Sequence, residues 1–281
     1  MTVRPLLRLR QALQFTKLQL RNVTDDTAIF VGSWKKGAAL RQRSIGGTRM
    51  LLRANEDSGR FLYFYGEYEP EECSYFQQAL RSADICLDVG ANVGFYTLLF
   101  SRLASSGEVH AFEPVASSWH ILSTNVLANE LTNVTVNRAA VGNCDTEAEF
   151  TLATDPTYSS FVDTERRATA GRIKVPVVSI DSYLQQQGLS RVDCLKVDVE
   201  GGEHKVLSGA AVLLSDPQRR PRLVMLELHD PMLQRQGSSI DQVVQQMASY
   251  GYSPFIWTKQ QRLPFRREHY MKFFNVFFAP E

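Results

Sequence analysis

Asp198 and Glu200 stand two apart in the run "KVDVEGG", and Glu227 and His229 stand two apart in "MLELH". Alternation with apolar residues puts each pair on one face of a strand end. Carboxylates and an imidazole there can remove a proton near neutral pH. His229 is the leading candidate base because imidazole titrates in that range; Glu227 shares its strand face, Asp198 joins as a catalytic candidate, and Glu200 and His204 stand in reserve. Asp198, Glu200 and Glu227 also have the donor type that magnesium takes, but nothing in their spacing demands an ion, and no metal is expected. A polar strand end that only caps the following helix is the plainer reading of this run, and Glu203 fits it.

A second group lies in "CLDVGANVGFYTLLF", residues 86–100. A strand-like run gives way at Gly90 and Gly94 to a helical one, a turn that offers free backbone N–H groups and lets a ligand approach closely. The dinucleotide fingerprint G-x-G-x-x-G lacks its middle glycine here. Asn92 stands in its place, and asparagine tolerates the left-handed backbone. Asp88, just before the turn, would face a pyrophosphate and so suits a cationic ligand better. Glu113 closes the next strand, where an acid accepts hydrogen bonds from ribose hydroxyls. A carboxylate for a cation, another for a ribose and no seat for a pyrophosphate together describe S-adenosylmethionine.

The elements that must position these groups follow from the hydrophobic pattern. From Asp84 onward, strand-like runs at 84–89, 108–112, 133–138, 192–199, 222–229, 252–257 and 271–278 alternate with helical patterns at 94–104, 117–129, 203–214 and 240–250. That is the signature of βαβ units around a mostly parallel sheet. The last two strands are joined by a polar segment broken by Pro264, so they should pair as an antiparallel hairpin. Residues 148–184 interrupt the alternation and read as an insertion or hairpin over the site. The first 83 residues read as a cap: an N-terminal helix, strands in "AALRQRSI", "TRMLLRA" and "RFLYFYGEY", and a helix near 71–81. Residues 84–281 form the main domain.

Five motifs in order, "DVGANVGFYT", "HAFEP", "STNVLAN", "KVDVEGGEHKVLSGA" and "LELH", resemble the FkbM-type methyltransferases over about residues 68–278. The resemblance implies a class I S-adenosylmethionine-dependent methyltransferase with a Rossmann-like, doubly wound α/β fold. Its seven strands would run 3-2-1-4-5-7-6, with the last strand antiparallel. The resemblance makes Asp88, Gly90, Asn92 and Glu113 cofactor residues and sets "AAVG", residues 139–142, beside the adenine. Ala91, Gly94, Pro114, Ala140, Val141 and Asp198 complete the expected cofactor set. "YEPEE", residues 68–72, matches a segment that precedes the family's core. In open α/β sheets ligands bind where strand order reverses, here between the first and fourth strands, so Asp88 and "KVDVEG" should become neighbours.

The expected reaction is O-methylation of a hydroxyl on a small molecule: a sugar, a glycolipid or a polyketide. Two other readings are an NAD-dependent oxidoreductase, which the Asp88 position disfavours, and an S-adenosylmethionine-binding protein without turnover. With a net charge of +1, no strong field recruits nucleic acid. Cys73, Cys86, Cys144 and Cys194 form no CxxC pair and read as reduced thiols, which suits a cytoplasmic location. No run is apolar enough to span a bilayer. The basic, leucine-rich segment 1–22 can dock on its own domain, the favoured reading, or touch an anionic membrane surface weakly. Oligomeric state is left open.

Overall fold

A computed structural model describes residues 40–270 and 274–281. The N-terminal basic segment therefore lies outside the described residues. In chain order, a hairpin of β1 (Leu40–Ile45) and β2 (Thr48–Arg53) is followed by helices α1 (Asp57–Tyr65) and α2 (Pro70–Ala79). Then come β3 (Ile85–Val89), α3 (Phe95–Leu103), β4 (Glu108–Phe112), α4 (Ala116–Ala128), β5 (Val134–Asn137) and the short β6 (Ala140–Val141). The long strands β7 (Thr146–Ala153) and β8 (Thr169–Val178) precede α5 (Ile180–Gln187), β9 (Cys194–Val197), α6 (Glu203–Ser208) and α7 (Ala211–Ser215). The chain ends with β10 (Leu223–Glu227), α8 (Asp230–Arg235), α9 (Ile240–Ser249), β11 (Tyr252–Thr258), β12 (Gln261–Pro264) and β13 (Asn275–Pro280).

The main sheet runs β5-β4-β3-β9-β10-β13-β11-β12. It has eight strands where seven were expected, because "QRLP" pairs antiparallel with β11 as an added edge. β5, β4, β3, β9 and β10 are mutually parallel, and β13 runs antiparallel to both β10 and β11. Because side chains alternate along a strand, each strand feeds two cores. Leu87, Val89, Leu195, Val197 and Leu226 pack with α5, α6, α7 and α9. Cys86, Cys194, Met225 and Phe277 point the other way, to Phe76 of α2 and to Tyr96 and Phe100 of α3.

Two local expectations are corrected. "RFLYFYGEY" is not a strand but largely the helix α1. Its aromatic residues favour strands only when a sheet receives them; here Leu62 is buried at helical spacing from Gly59, which packs on the backbone of Arg53, and Gly66 ends the helix in a left-handed cap. The single helix expected over 203–214 is two, broken at Gly209-Ala210, where Gly209 packs against the carbonyl of Gly142 too closely for any side chain.

The described part of the cap is tied into the same compact unit as the sheet, Arg41–Glu281. Asn125 of α4 accepts from Leu51 N at 2.6 Å and donates to Leu51 O at 3.1 Å, and Arg53 reaches Ser117 O at 2.5 Å. The segment 148–184 contains the β7–β8 hairpin, which joins β6 in a separate three-stranded sheet. Residues 154–168, between β7 and β8, cross the carboxyl end of the main sheet and roof the cleft there.

Candidate active site

A cleft opens above the carboxyl ends of β3, β4 and β9. Its floor is the glycine turn. Gly90 has φ 75°, and a Cβ there would lie 1.8 Å from the carbonyl of Asp198, so only glycine lets the turn after β3 meet the end of β9. Asn92 takes φ 48° and Gly94 φ 95° as the chain enters α3, which supports the reading of Asn92 as a glycine substitute. Gly90, Ala91 and Asn92 line the cleft, as do Glu113, Pro114, Ala140, Val141, Asp198 and Glu200. Gly94 is not among the lining residues; it starts the helix beneath them.

Glu113 is buried at the end of β4, and both of its oxygens are engaged: Asn92 N donates at 2.9 Å and Val115 N at 2.8 Å. The carboxylate thus moulds the turn as well as facing the cleft. Burial pushes its pKa up to about 7, against the pull of these two amides and of Lys196.

Asp88 sits elsewhere than expected. It is fully buried and is not a cleft residue. Strand alternation puts it on the face of Cys86, where Thr97 of α3 donates to it at 2.6 Å and Lys196 of β9, its register partner, lies 3.4 Å away. Thr97 and Lys196 meet its charge from within, while its Oδ1 accepts no hydrogen bond. Lys196 is the residue that sequence reasoning missed. Its ammonium donates to Gly90 O at 2.9 Å, lies 3.4 Å from Asp198 and 5.5 Å over the ring of Tyr96, and joins the ends of β3 and β9. These anions hold its pKa above the usual lysine value despite burial. The signal was available: a lysine one step out of phase with Val197 in "LKVDV".

Beyond β9 the chain turns sharply. Glu203 accepts from Val199 N and Gly201 N, both at 3.2 Å, which is the capping role read from its position. Glu200, in a left-handed conformation at φ 56°, turns its carboxylate under the roof. There Arg166 grips it with one nitrogen on both oxygens, at 2.9 and 3.1 Å, and stacks 4.2 Å over Tyr158. Ser160 and Gln236 hold the Glu200 carbonyl, at 3.2 and 3.1 Å.

Asp198, Glu200 and Glu227 each offer an oxygen within 4.8 Å of the others, so the structure brings three of the four expected catalytic residues together. Burial first, then the Asp198 charge, raises the Glu227 pKa far above the carboxylate range. Burial likewise carries Glu200 to about 7. His229 is not a cleft residue. It opens α8, its ring lies 5.1 Å from that of Phe274, and burial and then Arg166 lower its pKa. His204, on α6, does not line the cleft either. Tyr68 does, and the adjoining Glu69, at φ 47°, accepts from the hydroxyl of Tyr96.

Comparison with known proteins agrees with this architecture. Residues 88–254 match the methyltransferase FkbM domain. The chain is 26% identical over 208 residues to 31-O-demethyl-FK506 methyltransferase FkbM of Streptomyces tacrolimicus, covering 63% of this chain and 78% of that protein. It is 25% identical over 146 residues to the hexuronic acid methyltransferase AglP of Haloferax volcanii, covering 52% and 56%. Among solved structures, the methyltransferase FkbM of Methylobacillus flagellatus aligns with 74% of this chain and 50% of that one, at 14% identity and a TM-score of 0.47. No described helix is long and apolar enough to cross a membrane. The chain belongs to the FkbM methyltransferase domain family and is an S-adenosylmethionine-dependent methyltransferase.

Proposed function

We propose that the protein transfers the methyl group of S-adenosylmethionine to a hydroxyl of a small molecule, a sugar, glycolipid or polyketide alcohol, with the Asp198–Glu227 pair as its base. The observation that carries this reading is the convergence of Asp198, Glu200 and Glu227, with one oxygen of each within 4.8 Å of the others, at the ends of β9 and β10 beside the cleft. The cofactor supplies an activated methyl on a cationic sulfur. The protein's task is alignment and proton removal. Bound in the cleft, the cofactor would supply the methyl to the acceptor oxygen and leave as a neutral thioether, and Asp198 would take the hydroxyl proton. Burial favours the neutral form of Glu227, so Asp198 beside it can take the proton without two negative charges standing side by side.

The sets expected from sequence divide by role. Gly90, Ala91, Asn92, Glu113, Pro114, Ala140 and Val141 hold the nucleoside, with Glu113 taking the ribose hydroxyls on its remaining lone pairs. Lys196 fixes Asp198 and the turn relative to each other. His229 is a supporting residue behind Arg166 in this reading, not the primary base.

The test is incubation with methyl-labelled cofactor and a library of sugar and polyketide alcohols, followed by mass spectrometry. The expected result is label on at least one hydroxyl and its loss with Glu227→Gln. Label on amines alone, or full turnover by Glu227→Gln, would overturn the assignment.

A further inference from the structure

Arg166 is the one guanidinium that reaches the acidic trio from the roof, and the family motifs do not include it. It touches Glu200 through two contacts, and its charge is felt at Glu227 and at His229. Besides Ser160, which donates to the Glu200 carbonyl from within, the roof is held by a further set of polar contacts. Asp155 accepts from Asp57 N at 2.8 Å, Tyr158 donates to Asp57 at 2.9 Å, Arg167 pairs with Asp57, and Arg235 pairs with Glu165 at 2.6 Å. All four lie toward the rim. Among the loop's cationic side chains, Arg166 is the one that turns inward, against a carboxylate that is 7% exposed; Arg167 pairs with Asp57.

Three carboxylates whose oxygens lie within 4.8 Å of one another require a counter-charge if more than one is ionised. We propose that Arg166 joins Lys196 as the second cation of the Asp198–Glu200–Glu227 cluster, on the Glu200 side and in the place a divalent ion would otherwise take, and that it couples closure of the 154–168 roof to the readiness of the base. With the roof down, the guanidinium neutralises Glu200 and leaves Asp198 as the carboxylate next to the acceptor. With the roof up, Lys196 still faces Asp198 but Glu200 loses its own cation and takes a proton in preference to leaving its charge unpaired. Proton removal is thereby confined to the closed state. Arg166 is a positioning residue in this scheme, since it acts on the base through Glu200. The inference rests on the proposed role of Asp198 and Glu227, yet its test needs no acceptor.

The experiment uses the full chain with two probes, manganese(II) and S-adenosylhomocysteine. Manganese uptake is read by electron paramagnetic resonance, and release of S-adenosylhomocysteine by stopped-flow displacement. The wild type should leave the manganese signal intact. Arg166→Ala should take up one equivalent and release S-adenosylhomocysteine about tenfold faster, having lost a partly exposed, charge-assisted clamp. Arg166→Lys, which keeps the cation but not the double contact, should still exclude manganese. One equivalent of manganese bound by the wild type as tightly as by Arg166→Ala would overturn the proposal and make the trio a metal centre. Unchanged release from Arg166→Ala would equally overturn it. If no protein binds S-adenosylhomocysteine, the cofactor assignment fails instead, which is a separable result.

Discussion

The two halves of the cleft are built from different materials. The cofactor half, over β3, β4 and β6, is mostly backbone and small side chains: Gly90, Ala91, Asn92, Pro114, Ala140 and Val141, with Glu113 as its one carboxylate. The half proposed for the acceptor, at the ends of β9 and β10, is mostly charged: Lys196, Asp198 and Glu200 line it, and Glu227 and Arg166 stand against these carboxylates from behind. A backbone cradle tolerates almost no change in shape. A charged cluster tolerates changes in shape but none in proton count.

The difference gives a graded set of experiments. The largest effect should come from Gly90→Ala, because the new Cβ would stand 1.8 Å from Asp198 O and force the turn away from β9. Overpacking of this kind costs about 3 kcal/mol or more, roughly a hundredfold in cofactor affinity. Next is Glu227→Gln. It removes the acid beside Asp198, and methyl transfer should fall about 10²-fold or more while cofactor affinity stays within about twofold.

Glu113→Gln should weaken cofactor binding about tenfold at pH 8 and, more tellingly, flatten its pH dependence. The sign follows from the raised pKa of about 7. Ribose hydroxyls favour the ionised carboxylate, so affinity in the wild type should drop as pH falls through 7. The same raised value makes the free protein lose stability as pH rises from about 4.5 through 7, a slope that Glu113→Gln should also reduce. Calorimetric titration at pH 6, 7 and 8 reads the first effect and thermal melts read the second. The smallest effect should be that of Thr97→Val. It removes the hydroxyl that donates to Asp88 at 2.6 Å, costing about 1–2 kcal/mol of stability by urea unfolding with little change in cofactor affinity. A large loss of affinity in Thr97→Val would return Asp88 to the cofactor site.

The same contrast explains what could be read from the chain alone. The cofactor half was legible because its determinants are local: a strand, a turn that needs left-handed backbone, and a helix, all within 86–100. Asp88 is placed behind the cleft wall for a reason also local. It alternates with Leu87 and Val89, so it faces α3 while its neighbours in sequence face the opposite core. The acceptor half was legible only as residue types. Asp198, Glu200 and Glu227 declared themselves by spacing, but their counter-charges come from a long loop and from one step out of phase on β9. Nothing in the polar run "SSFVDTERRATAG" distinguishes Arg166, which turns inward, from Arg167, which pairs with Asp57 at the rim. His229 was favoured for its chemistry, and geometry puts it one layer behind the residues that touch the cleft.

The division into a cofactor cradle and an acceptor-side base is tested most directly by isothermal titration of S-adenosylhomocysteine into the wild type, Gly90→Ala and Glu227→Gln, each shown to be folded by circular dichroism. The account predicts one-to-one binding by the wild type, the same affinity for Glu227→Gln, and no detectable binding by Gly90→Ala. Wild-type affinity in Gly90→Ala, or its loss in Glu227→Gln, would contradict it.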